Sequence, residues 1–210
     1  TLIVARGSSR TDLIRHMTWP SGLEPWEPDV APAATPGFTL TRFGANRFRA
    51  ALTFTGAPPS SARYAVENLV ASVWMGARDS VAMQRLREET GLVYFPFMTY
   101  DWHPESPAWH VSFEGDWARH TEVRARLRET SSFVPPTADL GQHISNTLRS
   151  LDAVELAPEA HLALGQQLGG RGLDGHWLRA FRHAITVVDE RSFALGWASM
   201  MKRMQEHLDD

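Results

Sequence analysis

The chain has 210 residues, of which 43% are hydrophobic and 21% are charged, and its formal net charge is −3. This length suits one large domain, or one domain with an appended piece, and the composition is that of a globular protein able to bury a core. The small net charge gives no electrostatic basis for binding nucleic acid or an anionic membrane surface. Because the chain has no cysteine, disulfides, thiolate-ligated metals and a thiol nucleophile are excluded.

No apolar run approaches the length of a membrane-spanning helix. The apolar residues 2–5 form a stretch too short to be the core of a signal peptide. We therefore expect a cytoplasmic protein without a membrane partner.

The first 37 residues differ in composition from the rest of the chain. Residues 1–6 predict a short strand and residues 12–17 a short helix. Residues 18–37 contain five prolines, which lack an amide donor and restrict the residues before them, so an extended linker is expected. We place a boundary there, between an arm at 1–37 and a main domain at 38–210.

The main domain begins with a strand at residues 47–55, where Phe48, Ala50, Leu52 and Phe54 alternate with more polar positions. Two helices are predicted next, at residues 60–76 and 79–91, the second ending at Gly91. Strands at residues 92–102 and 109–113 follow, joined by a turn at 103–107.

A helix at residues 120–130 precedes a long helical region at 138–208, with breaks at Pro158, at 169–170 and at 174–175. Strands and helices are therefore partly segregated along the chain. This order predicts an α+β fold, with helices packed on one face of an antiparallel or mixed sheet.

The segment from Leu86 to Tyr94, LREETGLVY, is the one most informative about chemistry. Arg87 lies in the last helical turn, and Tyr94 follows seven residues later in the next strand. Because the chain reverses at Gly91, the two side chains can converge on one spot. A guanidinium and a phenol can both donate hydrogen bonds to a carbonyl oxygen that is becoming negative. Taken by spacing alone, the pattern is better explained by a helix-terminal arginine and an ordinary half-buried strand tyrosine.

The segment MQRLREETGLVYFPF, residues 83–97, resembles the second-half motif of the insulinase/pitrilysin metallopeptidases, which include the mitochondrial processing peptidases. Residues 48–76 and 147–194 are similar to the strand–turn–helix and late helical segments of that family. The resemblance covers about residues 38–210. It implies a processing-peptidase type of fold and a C-terminal half that does not bind zinc.

In that family the arginine and tyrosine of the second half reach into the zinc site of the first half and bind the scissile carbonyl. The resemblance assigns these roles to Arg87 and Tyr94. It implies peptide as substrate, no metal or cofactor in this chain, and zinc with its general base in a partner half, most simply in a heterodimer. It leaves open whether that partner is on the same chain.

The chain departs from the family in two respects. None of its nine histidines lies in a His-x-x-Glu-His signature, which in the family belongs to the first half. The chain also stops at a helix near Leu208, where the family continues with a strand and a helix. Residues 1–17 therefore either complete this sheet from the other terminus or are the tail of a preceding half.

Two alternatives to a peptidase half stay open. The chain can be a catalytically inert peptide-binding or scaffold subunit, as the family also contains. It can also be an unrelated α+β domain in which LREETGLVY is a coincidence. A weak metal site at His103, Glu105 and His110 is a lesser possibility, since turn histidines usually face solvent.

Overall fold

The computed structural model describes residues 34–76, 79–102, 106–133, 137–157, 159, 173 and 175–209. The strand predicted at 1–6, the helix predicted at 12–17 and most of the predicted linker lie outside these residues. So do residues 103–105 of the predicted turn.

A four-stranded antiparallel sheet forms one layer of the domain. Its strands are β1 (Gly37–Phe43), β2 (Arg47–Thr55), β3 (Tyr94–Asp101) and β4 (Ala108–Asp116), in the order β1-β2-β4-β3. The α+β fold with an antiparallel sheet is thus confirmed. β1 was not predicted, because its apolar alternation is limited to Phe38 and Leu40, directly after the proline-rich segment.

Helices form the second layer. α1 (Ala62–Ala71) continues as a π-helical turn at Ser72–Gly76, and a second π-helix spans Met83–Glu88. A 3-10 turn at Trp117–Glu122 leads into α2 (Val123–Ser132), and another at Thr137–Asp139 leads into α3 (Leu140–Leu156). The chain ends with α4 (Gly175–Thr186) and α5 (Glu190–Asp209). The break between α4 and α5 carries neither glycine nor proline, and we did not predict it.

The two faces of the sheet differ in polarity. On one face, Phe48, Ala50, Leu52 and Phe54 of β2 are fully buried, and Val111 and Phe113 of β4 lie beside them. This face packs on α1 and α5 and makes the core. The opposite face, here called the open face, carries partly exposed polar side chains. Their members on β2 and β4 are Arg47, Arg49, Thr53, His110, Ser112, Glu114 and Asp116.

A buried carboxylate ties the two layers together. The side chain of Glu67, on α1, is 1% exposed. It accepts hydrogen bonds from Ala57 N at 2.8 Å and from Trp109 Nε1 at 2.9 Å. It also pairs with Arg63 at 3.0 Å and with Arg203 of α5 at 2.5 Å. Four donors from four parts of the chain thus satisfy one buried charge, as a buried ion needs.

Aromatic rings close the end of the sheet where β3 stops. The ring centroid of Tyr64, on α1, lies between 4.7 and 6.4 Å from the centroids of five other rings, those of Tyr100, Trp102, Trp109, Trp177 and Phe181. Because the cluster draws on β3, β4, α1 and α4, it fixes α4 against the sheet.

None of the helices in the described ranges combines the length and the apolar character needed to cross a bilayer.

Candidate functional site

The reversal predicted at Gly91 is present and is held by backbone hydrogen bonds. The carbonyl of Leu86 accepts from Leu92 N at 2.9 Å and from Val93 N at 3.2 Å, and Gly91 N donates to Arg87 O at 2.8 Å. Gly91 has φ +59°, the left-handed conformation that glycine adopts at no steric cost. Leu86, Leu92 and Val93 are buried, so the reversal is anchored in the core.

A guanidinium on the 3-10 turn also fixes this loop. Arg119 Nη1 donates to Thr90 O at 2.7 Å, while its Nε and Nη2 bind the two carboxylate oxygens of Glu122 at 2.9 and 2.7 Å. The hydrogen bond with Glu122 raises the pKa of Arg119 and lowers the pKa of Glu122. The cation therefore stays charged while it holds the loop.

Arg87 is the penultimate residue of the π-helix. It is exposed, and within the described part of the chain its guanidinium makes no hydrogen bond or ion pair. A single π-helical turn is rare and is found often at functional sites. Because it is exposed and has no partner among the described residues, Arg87 is a cation available to a ligand.

Tyr94 begins β3 on the open face, opposite Glu114. The residue is half-buried, and its hydroxyl donates to Asp116 Oδ2 at 3.3 Å, longer than the usual 2.7–2.8 Å for this kind of bond. The guanidinium of Arg47 lies over its ring, at 5.4 Å from the centroid. No hydrogen bond joins Tyr94 to Arg87 among the residues that the structure describes.

Charges around Tyr94 are mutually neutralised. Arg49 donates twice to Glu114 Oε1, from Nη2 at 2.7 Å and from Nε at 3.2 Å. Arg47 Nη2 is 3.8 Å from the other carboxylate oxygen of Glu114. The sequence alternation placed Arg47 and Arg49 on the solvent side of β2, but their shared anion on β4 was not predicted.

Gly115 brings the loop close to the sheet. A Cβ at this position would lie 2.5 Å from Leu92 O and 2.5 Å from Phe48 Cζ. Because one obstacle is backbone, the start of β3 can approach β4 only if residue 115 is glycine.

β3 is distorted directly after Tyr94. Tyr94 pairs with Glu114 and Phe97 with Ser112, so two residues of β3, Phe95 and Pro96, lie opposite one residue of β4, which defines a β-bulge. Phe95 has φ +49° and is 72% exposed, and Phe97 is 53% exposed. We did not predict this bulge, although Pro96 inside the strand is a sequence signal for it.

The described residues offer no donor set that fits zinc. No three side chains of the histidine, aspartate and glutamate types are grouped there so that they could hold a metal ion. His110 binds Thr53 Oγ1 at 3.0 Å and lies 3.9 Å from Asp101, so one imidazole meets one carboxylate where a zinc site needs at least three protein ligands. The other residues of the suggested site, His103 and Glu105, lie outside the described residues.

Comparison by sequence finds no matching family model and no matching curated protein.

Comparison by structure finds the same fold in several solved domains. The inactive peptidase domain of a candidate zinc protease from Bordetella parapertussis has a TM-score of 0.60 and 15% identity, over 77% of this chain and 89% of that chain. The peptidase M16 inactive domain from Pseudomonas fluorescens has a TM-score of 0.59 and 17% identity, over 77% of this chain and 39% of that one. A protease from Helicobacter pylori has a TM-score of 0.59 and 10% identity, over 76% of this chain and 40% of that one.

At these identities the likeness shows a shared fold. The chain therefore has the α+β fold of the inactive domain of zinc-protease-like proteins of the M16 type, as the insulinase/pitrilysin resemblance implied. Its length spans about two fifths of the Pseudomonas and Helicobacter chains. The narrower processing-peptidase type stays a prediction.

Proposed function

We propose that this chain is the half of an insulinase-family metallopeptidase that binds peptide without binding zinc. A partner half, on the same or another polypeptide, supplies the zinc ion and the general base. The observation that carries the proposal is the Gly91 reversal, which is preceded by the exposed guanidinium of Arg87 and followed by the phenolic hydroxyl of Tyr94, in a domain with the fold of inactive peptidase domains.

Arg87 and Tyr94 have the chemistry that a scissile carbonyl requires. Both are donors, and both lie outside the apolar core. A donor that is aimed where negative charge develops is worth about 3–4 kcal/mol in the transition state. The hydrogen bond from Tyr94 to Asp116 is long, so little free energy is lost when the hydroxyl donates to a substrate oxygen instead.

Main-chain pairing with an extended peptide would add affinity with little sequence preference. In the described residues β1 and β3 are the two edges of the sheet. Pro96 removes one donor from β3, so pairing there is restricted to its second half, from Phe97 to Asp101.

A second candidate function is that of an inert peptide-binding or scaffold subunit. The hydrogen bond from Tyr94 to Asp116 favours it, because the hydroxyl already has a protein partner and must give up that bond before it can bind a substrate. In that case the partner would cleave peptides equally well when Arg87 and Tyr94 are replaced.

Affinity purification of the tagged chain from the organism that encodes it, with metal analysis, tests the proposal. We expect a His-x-x-Glu-His helix that carries the zinc, either in a co-purifying protein or in another part of the same polypeptide. Zinc-dependent cleavage of peptides should then require both halves. If neither the polypeptide nor a bound protein has such a helix, or if the zinc-binding half is equally active alone, the proposal is wrong.

A further inference from the structure

Two exposed phenylalanines stand directly beside Tyr94. Phe95 is 72% exposed and Phe97 is 53% exposed, and neither ring packs against another aromatic ring in the described residues. The other large apolar side chains that are exposed there, Leu156, Val187 and Leu195, lie on or between helices. The candidate site therefore has an apolar border, here called the Phe95–Phe97 lip.

The lip has a conformational cost that packing does not repay. Phe95 is the one non-glycine residue with positive φ among those described, and a bulky side chain is strained in that conformation. Its exposed ring gains almost no burial in return. The bulge re-aims the strand at this point, a device found often beside active sites.

The position of Phe97 relative to Tyr94 defines a spacing. The two residues are consecutive members of the open face of β3, opposite Ser112 and Glu114 of β4. Positions two residues apart on a strand are separated by about 7 Å. An extended peptide has the same rise per residue. A peptide whose carbonyl is bound at Tyr94 would thus lay the side chain two residues away over Phe97.

The size of the lip decides its occupant. At about 200 Å² for each phenylalanine, the two exposed fractions amount to about 250 Å² of surface. A stable protein–protein interface needs about 800 Å² from each partner, so the lip is too small to hold a second copy of the chain. It is the size that one large apolar side chain covers.

The charged side chains near the lip pair with one another and do not bind the occupant of the lip. Glu114 is neutralised by Arg49 and Arg47 across the open face. Pro96, between the two phenylalanines, withholds a main-chain donor, so the lip presents side chains instead of a backbone edge.

From these observations we infer that Phe95 and Phe97 form an apolar subsite, which selects peptides with a large apolar side chain two residues from the bound carbonyl. This inference rests on the proposed function, since it takes the occupant to be a peptide held at Tyr94.

Peptide binding to the purified chain tests the subsite. The probes are two fluorescein-labelled peptides of serine, alanine and glycine, one with a central phenylalanine and one with serine in its place. We expect fluorescence anisotropy to show about tenfold tighter binding of the phenylalanine peptide, the low end for loss of even one methylene group from an apolar pocket. In the Phe95→Ser/Phe97→Ser double variant the ratio should fall below about twofold. A matched Val187→Ser/Leu195→Ser variant, which removes two equally exposed apolar side chains elsewhere, should keep it.

The outcomes separate this inference from the proposed function. Equal binding of both peptides, or a preference that survives in Phe95→Ser/Phe97→Ser, would overturn the subsite. If both peptides bind equally to the wild type and both bind more weakly to Arg87→Ala, the proposed function is still supported. No binding of either peptide would contradict both. Sedimentation velocity tests whether a second copy of the chain occupies the lip. A wild-type dimer that becomes monomeric in the double variant would assign the lip to self-association and overturn the inference.

Discussion

Phe95 is the residue whose conformation is hardest to explain by folding alone. If the strain at φ +49° serves binding and not stability, a residue that tolerates the left-handed region should relieve it. We predict that Phe95→Asn raises the free energy of unfolding by up to about 1 kcal/mol.

Phe97→Asn is the matched control for that prediction. Phe97 is similarly exposed but has an ordinary φ, so its replacement should not stabilise the fold. Urea unfolding of the two variants measures the difference. A Phe95→Asn protein less stable than Phe97→Asn would show that Phe95 supports the fold instead of storing strain.

Asp189 makes the stability of the folded state depend on pH. Its Oδ1 accepts from the Ser192 hydroxyl at 2.6 Å and from Ser192 N at 2.7 Å, at the start of α5. These hydrogen bonds lower the pKa of Asp189, and the bond from the Ser192 hydroxyl has the largest effect. The carboxylate then stabilises the folded state above the ordinary aspartate pKa of about 3.9, and this stabilisation is lost as the pH falls through the lower folded pKa.

We therefore predict that Asp189→Ala lowers the melting temperature above pH 4, and that the deficit shrinks as the pH falls further. Thermal unfolding between pH 2.5 and pH 6 would measure it. Ser192→Ala should flatten the pH dependence of the wild type. A deficit that does not change with pH would contradict the assignment of the cap to the charged carboxylate.

At the scale of elements, the reversal between the π-helix and β3 depends on Gly91. A Cβ there would meet nothing within 4 Å, so the cost of Gly91→Ala is conformational alone. We predict a loss of about 1–2 kcal/mol in the free energy of unfolding.

Gly141 provides the control for this prediction. It lies in α3, has no positive φ, and its Cβ would also meet nothing within 4 Å. Gly141→Ala should raise the free energy of unfolding by about 0.5–1 kcal/mol, because alanine loses less backbone entropy in a helix. Equal effects of the two substitutions in denaturant unfolding would refute the role given to Gly91.

The local elements could be predicted to the extent that their signals are local. The alternation from Phe48 to Phe54 gave β2 and its buried face, and glycine after a charged helix end gave the reversal at Gly91. β1 was missed because two apolar residues after a proline run are too few for a period. The left-handed Phe95 was missed because Pro96 signals a disturbed strand but not which residue is left-handed, and only pairing with β4 reveals the extra residue.

Across the whole molecule, Glu67 is the buried charge that links the helix layer to the sheet, in addition to the apolar core. Its spacing from Arg63 is that of a surface ion pair, so nothing in the sequence marks it as buried. Its other partners, Trp109 and Arg203, are 42 and 136 residues away. Such contacts exist only after the fold has formed, which is why sequence patterns cannot supply them.

We predict that Glu67→Ala lowers the free energy of unfolding by about 3–5 kcal/mol, the usual cost of breaking a buried ion pair. Glu114→Ala, which removes a carboxylate with two arginine partners on the open face, should cost about 1 kcal/mol or less. Chemical denaturation of both variants tests the contrast. Similar losses for the two would mean that Glu67 is not the connection between the layers.

If the proposed function holds, Arg87 and Tyr94 act on a substrate held in a site shared with a zinc-binding partner. Turnover of a peptide by the reconstituted pair measures this, with wild type, Arg87→Ala and Tyr94→Phe. Arg149→Ala, which replaces another exposed arginine, on α3, serves as control, and sedimentation confirms that each pair assembles. We predict that kcat falls about 100-fold or more in the first two variants and is unchanged in the control. Assembled pairs that cleave at the wild-type rate without Arg87 or the Tyr94 hydroxyl would contradict it.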